Sequence, residues 1–241
     1  MMKVIILAAG YATRLYPLTK KTPKQLLLIG NKLMLDHLID KVCVLNPDSI
    51  HVVVNSTFRD QFLSWAAARK EKIDIIDNGV TSEENKRGAV GDFAFALEQR
   101  AIDDDVLVLG GDNLFEFNLG HFWSSFLEKG SSIAVYDLKD PALLARKFGV
   151  VEMDKHNRIL GFEEKPEFPK SSMTATLIYA LSKENLSTLK EYVHSSDRPD
   201  NAGMMIKWLA ENHKVMAWPF RERWVDIGSF EDLERIRKEY S

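Results

Sequence analysis

Val4-Ile5-Ile6-Leu7-Ala8-Ala9-Gly10-Tyr11-Ala12-Thr13-Arg14-Leu15 opens on four apolar residues and passes at once into a run of small ones. A continuous apolar run is the pattern of a strand buried on both faces, as in a parallel sheet. In an open α/β sheet, ligands bind beyond the carboxyl ends of the strands, which is where this loop begins. Ala8, Ala9, Gly10 and Ala12 therefore form a candidate cradle, because small side chains let backbone N–H groups approach an anion. Arg14 supplies a planar, multi-donor head suited to phosphate. Lys24, after Pro23, adds a second cation. The loop contains neither G-x-G-x-x-G nor G-x-x-x-x-G-K-[ST]. By itself such a loop reads first as a surface turn with solvated basic residues, because such loops are common.

The rest of the chain repeats the alternation. Further apolar runs lie at His51–Val54, Ile73–Ile76, Val106–Leu109, Ile133–Tyr136 and Gly149–Glu152. Between them lie stretches of helical period: Met34, Leu35, Leu38, Ile39, Val42 and Leu45, then Val90, Phe93, Ala94 and Leu97. Ser229 with Asp232 predicts the start of a last helix, whose inner stripe is Phe230, Leu233, Ile236 and Tyr240. Strands alternating with helices predict an α/β fold: a doubly wound, mostly parallel but mixed sheet with helices on both faces. Gly149–Asp154 and Arg158–Glu164 read as a hairpin turned at Lys155-His156-Asn157. No linker composition divides the chain, so one domain over residues 1–241 is predicted, with a nucleotide-binding half to about 115 and an acceptor half from about 116.

Composition excludes several classes. The chain has 241 residues, 45% hydrophobic and 28% charged, with a net charge of −3. This is the globular average, far from a disordered composition. A chain of this length buries roughly 70% of its unfolded surface without staples. Near-neutral charge argues against a dedicated nucleic-acid binder. Cys43 is the single cysteine, so no intrachain disulfide forms, and the histidines show no zinc-site spacing. A cytoplasmic home is the simple expectation. The run Val4–Ala9 is too short for a signal segment or a membrane span, so no membrane partner is expected.

The run LAAGYATRLYPLTKKTPKQLLLIGNK, Leu7 to Lys32, closely resembles the signature of the sugar-1-phosphate nucleotidylyltransferases, L-A-A-G-x-G-T-R-L-x-P-L-T followed by P-K-x-L-L-P-I. The resemblance extends over nearly the whole chain and implies a Rossmann-like nucleotide-diphospho-sugar transferase fold. It implies that residues 7–14 and Lys24 wrap a nucleoside triphosphate, with Arg14 on the phosphates and Lys24 at the reacting centre. Ala12 stands where the family usually has a second glycine, and Leu28 where it has proline. Alanine costs little at negative φ and crowds a left-handed turn.

Two aspartates follow the same logic. Val106–Leu109 runs into Gly110-Gly111-Asp112-Asn113, which puts Asp112 at the active edge of the sheet. Arg223-Trp224-Val225-Asp226-Ile227-Gly228 lies far downstream. A turn or N-cap role is the ordinary reading of Asp112, and nothing in the spacing brings it to Asp226. The resemblance does, through the family's G-D-N and W-x-D-x-G, and implies Mg²⁺ held by Asp112 and Asp226. Asp103, Asp104 and Asp105, at the strand's other end, read as a solvated turn.

On the acceptor side, Phe148-Gly149-Val150-Val151-Glu152 resembles the family's Y-G-V-V-E. Glu163-Glu164-Lys165-Pro166 resembles its E-E-K-P. Pro169-Lys170-Ser171 and Gly111–Phe115 point towards the glucose-1-phosphate thymidylyltransferase branch. The resemblance implies that Asn113, Gly149, Glu164 and Ala175 meet a sugar-1-phosphate, with Lys165 neutralising its charge. Without it, Glu164–Lys165 is an ordinary surface pair. Leu177 replaces a usual glycine in the Thr174-Ala175-Thr176-Leu177 wall. The base pocket matches least: Gly91 stands where thymidylyltransferases carry glutamine. Gly88 offers backbone to the base, and Asp92 either reads the nucleotide or caps the following helix, with the cap preferred.

The implied reaction joins an NTP, dTTP or UTP favoured, and a sugar-1-phosphate, glucose-1-phosphate favoured, to give an NDP-sugar and pyrophosphate. Rivals are cytidylyl or uridylyl transfer to phosphocholine, a polyol phosphate or an amino-sugar phosphate, and an inactive nucleotide-sugar-binding subunit. A glycosyltransferase would carry Asp-x-Asp, and neither Asp103–Asp105 nor Asp137–Asp140 suits by place or spacing. A linked β-helical acetyltransferase is not expected. Trp123 and Trp208 are candidates for the core or for a homo-oligomer contact.

Overall fold

In the computed structural model, residues 1–194 and 202–240 are described. The chain runs β1 (Met2–Leu7), β2 (Leu28–Ile29), β3 (Lys32–Leu33), α1 (Met34–Cys43), β4 (Ser49–Val54), α2 (Arg59–Ala67), β5 (Ile73–Asp77) and α3 (Gly88–Gln99). It continues through β6 (Asp105–Gly110), β7 (Asn113–Phe115), α4 (Leu119–Lys129), β8 (Ser132–Asp137), β9 (Gly149–Met153), β10 (Ile159–Glu164) and β11 (Met173–Leu181). It closes with α5 (Lys183–His194), α6 (Ala202–Asn212), β12 (Met216–Phe220), β13 (Trp224–Asp226) and α7 (Phe230–Glu239).

A nine-stranded sheet in the order β10-β9-β11-β6-β1-β4-β5, with β8 on β11 and β12 on β8, forms the centre. β1 is parallel to both β4 and β6, and β4 to β5. β11 runs antiparallel to β6, β8 and β9, which makes the sheet mixed. Successive residues of β1 face opposite ways. Ile5 joins a cluster with Phe93 of α3, Leu189 of α5 and Ile206 of α6. Val4 and Ile6 join another with Leu38 of α1, Phe62 of α2 and Phe122 of α4. Helices thus cover both faces, as the alternation predicts.

The hairpin β9–β10 forms with its turn at residues 155–157. Ser229 caps α7 by accepting from Asp232 N at 3.2 Å. Leu233 and Ile236 bury fully against Ile29, Met34 and Ile227. The acidic turn is more than solvated: Asp103 pairs with Lys183, Asp104 with Lys3, and Asp105 begins β6 and accepts from Lys183 N. Leu45 lies beyond the end of α1. No helix among the described residues is long and apolar enough to cross a membrane.

Candidate functional site

The loop after β1 is tied down before it turns. Ala8 N donates to Val53 O at 2.8 Å, and Ala9 O accepts from Asn55 Nδ2 at 2.9 Å. Both alanines are buried. Tyr11 turns inward, its ring against Phe58 and its hydroxyl 3.0 Å from Thr57 Oγ1. Ala12 then takes φ 48, ψ 47, the left-handed region. Its carbonyl accepts from Leu15 N at 2.9 Å and Thr19 Oγ1 at 2.8 Å. A methyl group there costs about 1–2 kcal/mol, and these contacts hold it. Thr13 and Arg14 follow on a short 3₁₀ turn, exposed, while Leu15 is buried. Thus the loop exposes Gly10, Thr13 and Arg14 and keeps the other cradle side chains largely inside.

β6 delivers Asp112 beside this loop. Gly111 N donates to Leu7 O at 2.9 Å, and a Cβ on Gly111 would lie 3.0 Å from that oxygen and 3.2 Å from Ala8 Cβ. A methyl group at Gly111 would press on the end of β1, so glycine suits this close approach. Lys24 is buried, and its Nζ donates to Asp112 Oδ2 at 3.0 Å. Asp226 arrives on β13, in register opposite Asn113 of β7. Both aspartates line one cavity of about 310 Å³ with Gly149, Glu164 and Ala175. Burial, and next the Asp112 charge, push the Asp226 carboxyl up to about 6. Burial acts on Asp112 in the same direction, yet Lys24 outweighs it and holds that carboxyl below its ordinary value.

A smaller cavity of about 120 Å³ adjoins Asp112, walled by Gly10, Ala12, Arg14, Lys24, Gln25 and Gly228. A Cβ on Gly228 would meet Arg14 Nη1 at 3.6 Å and Asp226 Oδ2 at 4.0 Å. Arg14, on the N-terminal loop, and Asp226, near the far end of the sequence, therefore flank the same glycine. Gln25 was missed by sequence reading. It is 4% exposed, and its Oε1 is the buried side-chain oxygen left without a partner among the described residues. A glutamine beside a buried lysine and between proline and a leucine run is the available signal.

The residues expected on the sugar side divide. Gly149 touches Phe162, whose ring lies 2.2 Å from where a Cβ would stand. Thr174 Oγ1 donates to Gly149 O at 3.0 Å. Lys165, at φ 45, is exposed, pairs with Glu164 at 3.4 Å and is not part of the cavity wall. Asn113 lines the cavity, but its amide is engaged: Nδ2 donates to Gly110 O and Oδ1 accepts from Trp224 Nε1 at 2.7 Å. It ties β7 to β13.

Of the residues expected to meet the base, Gly88 at φ 70 opens α3, and the next residue, Ala89, lines the larger cavity. Asp92 does not cap this helix. The helix begins four residues earlier, so Asp92 sits in its second turn, buried, accepting from Asn78 Nδ2 at 2.7 Å. Among the described residues no set of three or more Asp, Glu, His or Cys side chains gathers to hold a metal. The candidate donors are the two carboxylates.

A loop at the carboxyl end of β1, a buried Lys24–Asp112 pair and a second carboxylate from β13 coincide with a family model, "Nucleotidyl transferase", that matches residues 3–241. The chain belongs to the nucleotidyl transferase family. A relative from Methanocaldococcus jannaschii, "Bifunctional protein GlmU", is 31% identical over 240 residues, covering 98% of this chain and 54% of the relative. The chain thus spans about half of that relative's length. Among solved structures it is similar to a Bacillus anthracis protein described as a "Putative Glucose-1-Phosphate Thymidylyltransferase", with TM-score 0.86 and 26% identity over all of this chain and 95% of that one. A UDP-glucose pyrophosphorylase complexed with UDP-glucose shares the fold at TM-score 0.82 and 18% identity, over 100% of this chain and 98% of that one.

Proposed function

We propose that the protein transfers a nucleotidyl group from an NTP to a sugar-1-phosphate. The observation that carries this reading is the convergence of Asp112 and Asp226 on one cavity, with Lys24 on Asp112 and Arg14 beside Asp226. Family membership supports an enzyme of this class. The favoured pair is dTTP or UTP with glucose-1-phosphate. Likeness to the Bacillus anthracis protein supports the sugar.

An oxygen of the sugar phosphate attacks the α-phosphorus of the NTP in line, the bond to the β-phosphate's bridging oxygen breaks, and pyrophosphate leaves with the electron pair. The nucleophile is already an anion, so no covalent enzyme intermediate is needed. Positioning and charge neutralisation carry the rate. Arg14 grips the triphosphate. Lys24 faces the meeting point of the two anions. Lys165, exposed beside Glu164, meets the acceptor phosphate as it enters. Glu164 accepts from acceptor hydroxyls. Gln25 Oε1 is an acceptor for a donor on the nucleotide. Two acidic oxygens completed by phosphates and water suit Mg²⁺, and Asp112 and Asp226 would hold it. When bound, Mg²⁺ neutralises phosphate oxygens and orients the leaving group.

On this reading residues 1–115 mainly hold the nucleotide and 116–241 the acceptor, although Ile227 and Gly228 return to the nucleotide side. The reaction is placed in the cytoplasm, with NTP and sugar phosphate as partners. The test is pyrophosphate release with Mg²⁺, crossing dTTP, UTP, CTP, GTP and ATP against glucose-1-phosphate and other phosphates. Turnover with dTTP or UTP and a hexose-1-phosphate supports the pair. Turnover only with CTP and a non-sugar phosphate redirects it. Silence across the grid with intact nucleotide-sugar binding overturns the activity.

A further inference from the structure

The wall of the larger cavity contains a residue in a conformation that does not suit it. Leu177 lies within β11 at φ 54, the left-handed region that favours glycine. The cause is a break in register. Ala175 pairs with Val135 and Tyr179 with Ile133, so Thr176, Leu177 and Ile178 stand opposite Ala134 alone. Thr176 Oγ1 closes the gap by donating to Ala134 O at 2.9 Å. Irregularities of this kind bend a strand and re-aim a side chain, and they concentrate beside functional sites.

Here the re-aimed side chain crosses to β6. Leu177 Cδ2 lies 2.9 Å from the position a Cβ on Gly110 would take. The leucine therefore packs directly on the backbone that leads into Asp112, and it lines the cavity together with Asp112, Glu164 and Asp226. A glycine would adopt this backbone without strain and would leave that volume open. The leucine holds the strain and fills the volume.

We propose that Leu177 sets acceptor specificity: its branched end closes the floor of the acceptor cavity over Gly110, so that only phosphomonoesters without bulk on that side are accepted. The proposal rests on the nucleotidyl-transfer reading for its substrate class. It does not depend on which base the enzyme uses.

The test compares the wild type with Leu177→Gly, Leu177→Ala and Leu177→Met on glucose-, galactose-, mannose- and N-acetylglucosamine-1-phosphate, together with the melting temperature of each variant. A wall that excludes one group discriminates by about 10–200-fold. Leu177→Gly is expected to raise the relative kcat/KM of at least one poor acceptor tenfold or more, with Leu177→Ala intermediate and Leu177→Met unchanged. Ratios within twofold of the wild type in a folded Leu177→Gly protein overturn the proposal. If that variant does not fold, Leu177→Ala carries the same decision. If the wild type turns over no pair, nucleotidyl transfer fails, and calorimetric affinities for the same four phosphates decide the wall: a tenfold gain for a larger phosphate upholds it, and unchanged affinities overturn it.

Discussion

Lys24 Nζ stands 3.0 Å from Asp112 Oδ2, and the lysine is buried while the aspartate faces the cavity. The ammonium thus has a fixed counter-charge and lines the smaller cavity with Arg14. Replacing Asp112 by Asn keeps the shape, removes that charge and leaves Lys24 without its anion. We expect Asp112→Asn to lower kcat by about 10²–10³-fold, the usual effect of losing one preorganised electrostatic contact. Because the two side chains act as a unit, Lys24→Met added to Asp112→Asn should cost much less than the product of the single effects. Steady-state pyrophosphate release from the four proteins of the cycle checks this, and full multiplicativity would sink it.

The second carboxylate gives a prediction in pH. Burial and the neighbouring Asp112 push Asp226 up to about 6. The folded protein therefore holds a proton between about pH 4 and 6 that the unfolded chain has already released. This group's contribution to stability rises as pH falls through about 6 and is complete near 4. Asp137 has the opposite sign. Lys139, then Ser172, lower it to about 2, so its contribution is present above about pH 4 and lost as pH falls through 2. Melting temperatures of the metal-free protein from pH 7 to 4.5 should show the Asp226 gain. Asp226→Asn should flatten it, and saturating Mg²⁺ should reduce it by competing with the proton. An identical profile in Asp226→Asn would refute the assignment.

Ala12 is the position where sequence and structure part most usefully. The small-residue loop, the buried β1 and the aspartate at the end of β6 are legible because each rests on a local pattern. Backbone sign does not follow from residue type: φ 48 at Ala12 is held by Leu15 N and Thr19 Oγ1, contacts that no composition rule encodes. The partnership of Asp112 with Asp226 is legible only through the family resemblance, since it depends on β13 pairing with the distant β7. Asp92 misled because an aspartate after glycines reads as a cap, whereas here tertiary contact with Asn78 takes it into the helix. Gln25 was hidden by its apolar neighbours.

That backbone sign makes a direct test. Ala→Gly in a helix, as at buried Ala96 of α3, should destabilise by roughly 1 kcal/mol or more. At Ala12 the relief of a left-handed methyl opposes the entropy cost of glycine. We expect Ala12→Gly to leave the melting temperature unchanged or higher, while Ala96→Gly lowers it. Denaturation of both variants under one set of conditions decides, and a clear loss at Ala12 would mean the turn is not strained.

Gly149 should behave in the reverse sense, and here the packing decides the outcome. It occupies the first position of β9, its carbonyl held by Thr174 Oγ1. A Cβ would come within 2.2 Å of the Phe162 ring. The tip of the same ring also lies 1.9 Å from the position of a Cβ on Gly203, so Phe162 packs on two glycine backbones at once. Phe162 is itself buried and lines the larger cavity. Gly149→Ala therefore overpacks the contact with this buried ring, at a cost of about 1–3 kcal/mol, and the strain must move β9, the ring or the cavity wall. Both the melting temperature and the acceptor KM should worsen, the NTP KM less. Phe162→Leu in the Gly149→Ala background should restore part of the stability by removing the ring. If Gly149→Ala is neutral, or if Phe162→Leu gives no relief, the glycine is there for backbone freedom and not for the ring.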